Sequence, residues 1–128
     1  MACKNRRGDP VSLLDVDIQS SAGRVDASLC GEVDLSTVAA LERRLEEGLA
    51  DTPETLVLDL RKVTFLDSSG LRLMLRLDKR QSEAGGRLVV VRGGRRVARV
   101  LELTGADERL ELVGDPSEVA GADDADGA

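Results

Sequence analysis

Two segments of this chain are apolar at nearly every position, and that restricts the folds open to it. Leu56-Val57-Leu58-Asp59-Leu60 reads as a buried strand, and Leu88 to Val91 is an unbroken aliphatic run. A strand with no polar side is covered on both faces, as in the parallel sheets of α/β proteins. Between the two runs lies a leucine-rich stretch with helical spacing. Leu71, Met74 and Leu75 form one apolar set, with Leu73 and Leu77 beside it. Strands that alternate with helices of about three turns imply a largely parallel sheet with right-handed crossovers.

The flanking sequence extends this pattern. Leu14, Val16 and Ile18 alternate with Asp15, Asp17 and Gln19, which predicts a strand with one wet face. After the turn residues Ser20 to Gly23, Val25, Ala27 and Leu29 alternate with Asp26, Ser28 and Cys30, so these two strands should form a hairpin. A helix is expected from Ser36 or Thr37 to about Leu49, with Val38, Leu41, Leu45 and Leu49 on one stripe. Gly85-Gly86 stops the central helix. A further helix is predicted from about Arg95 to Leu103, closed by Thr104-Gly105. Leu110, Leu112 and Val113 read as a short edge strand.

The expected order is β-β-α-β-α-β-α-β. This is a single α/β domain over 12–114, with a mixed, mostly parallel sheet of four to five strands. Residues 1–11 read as a flexible lead-in and residues 115–128 as an acidic disordered tail.

Composition removes several function classes. The chain has no histidine, which excludes Ser-His-Asp and Cys-His catalysis and most catalytic zinc sites. Phe65 is its one aromatic residue, so there are no platforms for stacking bases and the core must be aliphatic. A net charge of −6 argues against general affinity for DNA or an anionic membrane. No apolar run reaches membrane-spanning length, and the first residues lack the apolar segment of a signal peptide. Cys3 and Cys30 have no metal-ligand spacing and read as free thiols in a reducing cytosol. No metal or cofactor is implied. The Gly93-Gly94 turn with its arginines lacks the full spacing of a phosphate-cradling loop, so it reads as a helix start.

The residues with chemical potential lie where the central strand hands over to its helix, at Asp67-Ser68-Ser69-Gly70. A helix start carries backbone N–H groups without internal partners, and Ser and Asp are the residue types that fill that gap. The same place suits a phosphorylated side chain. Residue types alone leave both readings open, a structural cap or a hydroxyl presented for modification. Asp34 has the same two options, a turn former or a lining for the same end of the sheet. Arg72, Arg76, Lys79 and Arg80 share the outer face of the helix, either as a solvated row or as a contact surface for an acidic partner.

Three segments together resemble the STAS domain of bacterial anti-sigma factor antagonists. Leu-Cys-Gly-Glu-Val-Asp (Leu29 to Asp34) is similar to the motif before that family's first helix. Val-Thr-Phe-Leu-Asp-Ser-Ser-Gly-Leu (Val63 to Leu71) matches its phosphorylation motif. Val97 to Leu112 is like its closing helix and last strand. The match spans about residues 12–114 in the right order.

The resemblance implies a STAS-type sheet wound by right-handed βα units, and a mechanism. Ser68 would be the residue phosphorylated by a partner that is both an anti-sigma factor and an ATP-dependent serine kinase of the histidine-kinase-like type. The unphosphorylated chain binds that kinase and frees the sigma factor; the phosphorylated chain lets go. A serine phosphatase is the natural further partner. No direct nucleic-acid or membrane contact, a cytoplasmic location and a monomer or weak dimer are expected.

The partner-binding residues implied are Asp34, Asp67, Ser69, Gly70, Arg72 and Arg76. Asp67 would fix the turn and orient the serine hydroxyl, Ser69 would cap the helix, and Gly70 would permit close approach of the partner. Arg72 departs from the small residue the family usually places behind the glycine. A non-switching STAS subunit of a stress-signalling or lipid-transport complex is the alternative, which the intact serine disfavours. A nucleotide-binding regulator is a minor option, since no full-length phosphate loop is present. A serine hydrolase is excluded by the missing base and by a motif that is not GxSxG.

Overall fold

The computed structural model describes residues 13–49 and 52–119. The chain runs β1 (Leu14–Ser21), β2 (Arg24–Val33), α1 (Val38–Gly48), β3 (Thr55–Leu66), α2 (Ser68–Glu83), β4 (Arg87–Val91), α3 (Arg95–Leu103), α4 (Ala106–Arg109) and β5 (Glu111–Val113). The five strands lie in the sheet in chain order. β1 and β2 pair antiparallel, as the hairpin pattern predicts, and every other pair is parallel.

The alternation of side chains along each strand decides what each face of the sheet meets. Leu56, Leu58 and Leu60 of β3 and Leu88 and Val90 of β4 share one apolar cluster with Leu41 and Leu45 of α1, Leu73, Met74 and Leu77 of α2, and Val97 and Leu101 of α3. All three long helices therefore cover the same face. The intervening Val57, Val89 and Val91 point the other way, and among the described residues they cluster with Val119 and the partly buried Val113. The aliphatic runs thus signalled two-sided burial correctly, but only one of the two covers is helical.

That second cover corrects the expected domain boundary at 114. Residues 116–118 form a single 3₁₀ turn, capped by Asp115 through the Ser117 N–H. The segment is clamped to the sheet by Arg24, which donates to the Pro116 carbonyl (3.3 Å), and by Arg61, whose guanidinium lies 3.6 Å from Asp115. Arg61 also holds Asp59 at 2.8 Å. Residues 115–119 therefore belong to the packed domain rather than to a tail. The expectations for 1–11 and 120–128 lie outside the described residues.

β3 runs on past the Leu56–Leu60 segment as one strand to Leu66. Its second half has only β2 beside it, since pairing with β4 ends at Asp59↔Val91. Two register shifts, opposite Ser28–Cys30 and Gly31–Glu32 of β2, each take up one extra residue of β3, and the pair continues to Val33↔Leu66. Gly31 stands at the second shift, where β1 also comes close. Its φ of +119° is a backbone state that side chains rarely adopt, and a Cβ there would strike the Leu13 carbonyl oxygen. Cys30, beside it, is disulfide-bonded, which corrects the free-thiol expectation.

Candidate docking and modification site

The extended β2–β3 pair carries two loops to the C-terminal end of the sheet, and the predicted site is built from them. β3 ends at Leu66, which is buried, and the chain turns through Asp67 in an extended conformation into α2. Asp67 is the N-cap. Its Oδ1 accepts the backbone N–H groups of Ser69 (2.8 Å) and Gly70 (3.3 Å). Ser69 therefore receives the cap instead of supplying it, which corrects that assignment. Both residue types make good caps, and only the backbone conformation distinguishes which one stands outside the helix.

The second oxygen of Asp67 does different work. Oδ2 accepts the N–H of Leu35, in the loop between β2 and α1, at 3.2 Å. The Asp67 N–H in turn donates to the Val33 carbonyl at 3.1 Å. One carboxylate thus fastens both loops together. With its oxygens committed to amides, Asp67 does not orient the Ser68 hydroxyl. That hydroxyl has no hydrogen-bond partner among the described residues, and Ser68 is exposed as the first residue of α2.

Gly70 is buried beneath this corner. A Cβ there would come within 2.7 Å of Val33 Cγ1 and 2.5 Å of Leu66 Cδ1. Its missing side chain lets α2 sit close on the strands, so it is not open to a partner as expected.

Asp34 lies in the neighbouring loop. Its Oδ1 accepts the Ser36 hydroxyl (2.6 Å) and the Ser36 N–H (2.9 Å). The Ser36 hydroxyl above all holds its carboxyl below the usual aspartate value; desolvation, next in size, opposes it, and the Ser36 and Thr37 amides and the Thr37 hydroxyl add to the lowering. Thr37, the N-cap of α1, donates to the Glu32 carbonyl at 2.8 Å. The loop is thereby a closed set of hydrogen bonds, and its negative charge stands next to the Leu35 amide that Asp67 holds.

Two apolar side chains at this end escaped sequence reasoning. Leu35 is 77% exposed although its backbone is pinned by Asp67, and Phe65, near the end of β3, is 49% exposed. Leu35 falls outside the Val38-Leu41-Leu45 stripe, a signal that it does not belong to the core. Large apolar groups held out in water on rigid backbone are the usual anchors of a protein interface.

The arginines of α2 separate. Arg76 makes an ion pair with Glu42 of α1 at 3.3 Å, which ties the two helices together. Arg72 is exposed, one turn along from Ser68, with no carboxylate within 4 Å among the described residues. Both arginines line an open groove of about 780 Å³ between the outer side of α2 and α4, together with charges of both signs that include Lys79, Glu83 and Arg109. The Gly93-Gly94 turn is structural: Gly94 is the N-cap of α3, and Gly93 lies hard against the Leu60 carbonyl. Among the described residues no cluster of His, Cys, Asp or Glu could hold a metal ion, and no helix is long and apolar enough to cross a membrane.

Comparison with known proteins gives a consistent set. The family model described as the STAS domain matches residues 15–118. The anti-sigma-F factor antagonist RsfB of Mycobacterium tuberculosis is 35% identical over 99 residues, covering 77% of this chain and 80% of its own. The crystal structure of an anti-sigma factor antagonist from Mycobacterium paratuberculosis is 31% identical, with a TM-score of 0.75 over 86% of this chain and 92% of its own. The anti-sigma factor antagonist SpoIIAA in its unphosphorylated form shares the fold (TM-score 0.69, covering 83% and 94%) at 18% identity.

Proposed function

The chain belongs to the STAS-domain family, and from that premise we propose that it is an anti-sigma factor antagonist switched by phosphorylation of Ser68. In the unmodified state it binds an anti-sigma factor and thereby frees a sigma factor. That partner is also a serine kinase of the histidine-kinase-like type. It transfers the γ-phosphoryl group of ATP to the Ser68 oxygen, releasing ADP and the hydroxyl proton. A serine phosphatase reverses the step, and the cycle runs in the cytoplasm. The chain itself acts by binding and not by catalysis.

The observation that carries this reading is the exposed, unengaged hydroxyl of Ser68 on a corner that Asp67 makes rigid. A kinase can reach the oxygen without unfolding anything. The same kinase must cover the surroundings of Ser68, where Leu35 and Phe65 offer apolar surface and Asp34 and Arg72 offer charge. The experiment is incubation with ATP and purified anti-sigma factors, taking the mycobacterial anti-sigma-F factor and those encoded in the chain's own genome. One phosphate on Ser68, absent from Ser68→Ala, is expected. Wild-type protein that neither binds nor is modified by any of them contradicts the reading.

The docking surface has its own prediction. Leu35→Ala should weaken binding of that anti-sigma factor by about tenfold or more, the effect of removing an interface anchor. Leu103 is 74% exposed, but it sits at the end of α3, and helices in a parallel sheet run back toward the opposite end. Leu103→Ala should therefore bind like wild type. Calorimetric titration measures both, and equal losses from the two would show that Leu35 has no special place.

A further inference from the structure

We propose that Arg72 is the built-in counter-ion of a phosphate on Ser68, so that this chain stabilises its own phosphorylated state. The inference rests on the reading of Ser68 as the modified residue. On a helix, residues four apart stand one above the other, with Cβ atoms about 5–6 Å apart. Ser68 and Arg72 are such a pair on α2. Both are exposed, while Gly70, Leu71, Leu73, Met74 and Leu77 face inward.

The order of the pair matters. Side chains on a helix lean toward its N-terminus, which puts the turn that carries Ser68 within reach of Arg72, whose side chain lines the groove along α2 while Ser68 is unmodified. The reverse arrangement would send the cation away. Arg72 is also available, since no carboxylate among the described residues lies within 4 Å of it. The next cation along, Arg76, is held by Glu42.

The first turn of α2 offers a phosphate little else. It has no acidic residue to repel one, but the Ser69 and Gly70 N–H groups are already taken by Asp67. A phosphate at this place therefore draws on Arg72 for its main favourable contact, through charge-assisted hydrogen bonds to the guanidinium. Asp34 and Asp67 act against it. Arg72 balances them within the domain and leaves the outward side of the phosphate to repel the partner. An unmodified Ser68 gains nothing from Arg72, so the residue acts on one state of the switch only.

The test installs phosphoserine at position 68 biosynthetically, which makes the outcome independent of whether any kinase modifies that residue. Phosphorus NMR then follows the second ionisation of the phosphate with pH. In the wild-type background it should occur about 0.3–0.5 pH units lower than in Arg72→Ala, because a nearby cation favours the dianion. Arg72→Lys should recover most of that shift. Arg76→Ala, two turns away, should titrate like wild type. The unphosphorylated Arg72→Ala protein should melt at the wild-type temperature. Superimposable titrations of wild type and Arg72→Ala overturn the proposal, as does an equal effect of Arg76→Ala. Loss of kinase labelling at Ser68 with the titration difference intact would contradict the functional reading and leave this one standing.

Discussion

Ser68→Asp should weaken anti-sigma factor binding by about 100-fold or more, and Ser68→Ala should bind within a factor of about three of wild type. The two variants have similar bulk beside the whole interface and differ in charge. Ser68 is exposed on a surface where Asp34 is already ionised, with its carboxyl held below the ordinary value by Ser36. A carboxylate added there must be stripped of water on its outward side when the partner docks, where it adds to the charge of Asp34; Arg72 can balance it only from the domain's side. Leaving one such charge unpaired at an interface costs several kcal/mol, and about 2.7 kcal/mol is already 100-fold in affinity. Phosphate, with a charge of about −1.5 to −2, should exceed the aspartate effect. Neither change touches a buried atom, so both variants should melt with wild type. Equal affinities of Ser68→Ala and Ser68→Asp would contradict the electrostatic account.

Gly31→Ala is expected to have the largest effect on stability, about 3–5 kcal/mol. Two costs coincide at this position. The φ of +119° is strained for any residue with a Cβ, at roughly 1–3 kcal/mol. The added methyl also meets the Leu13 carbonyl oxygen, which is backbone and cannot rotate aside. Forcing atoms into filled space costs about another 1–3 kcal/mol. For a domain near 100 residues, that corresponds to a fall in Tm of at least about 12 °C. Gly85 supplies the control. Its φ is +83°, but nothing lies within 4 Å of the place a Cβ would occupy. Gly85→Ala should therefore lose only the conformational part, about 1–2 kcal/mol. Urea denaturation of the two variants separates the effects, and equal losses would show that the Leu13 contact carries no weight.

This position matters for function because Gly31 lies at one of the two register shifts across which β2 stays paired with β3 as far as Val33 and Leu66. Those two residues are the floor on which Gly70 rests. The site is a corner at the end of an unusually long strand pair, and its rigidity is inherited from that pairing.

Periodicity made most of this frame legible before any coordinates. The alternation in β1 and β2 identified the hairpin, and the solid runs in β3 and β4 identified the centre of the sheet. What it missed depends on contacts between residues distant in sequence. The Arg76–Glu42 pair joins two helices, and no pattern within α2 could show that its basic row is divided between a tether and a free cation. The segment at Asp115–Val119 looked like tail because its composition is small and acidic. It is ordered by Arg24, Arg61 and a nest of valines supplied by β3 and β4. The four-residue helix α4 is too short to show a period.

At the candidate site, the serine was legible and its supports were not. Asp67, Ser68 and Ser69 are all plausible helix caps, and sequence cannot say which one keeps an extended backbone. Leu35 was invisible for a related reason: exposure of a leucine is a property of the fold around it, here the hydrogen bond from its N–H to Asp67.

Release of the sigma factor tests the central claim most directly. A preformed complex of sigma factor and cognate anti-sigma factor is titrated with this protein, unmodified or carrying phosphoserine at position 68, and free sigma factor is measured by fluorescence anisotropy. Unmodified protein should displace the sigma factor near stoichiometric amounts, and the phosphorylated protein should fail even at about 100-fold higher concentration. Equal displacement by the two forms would contradict the account.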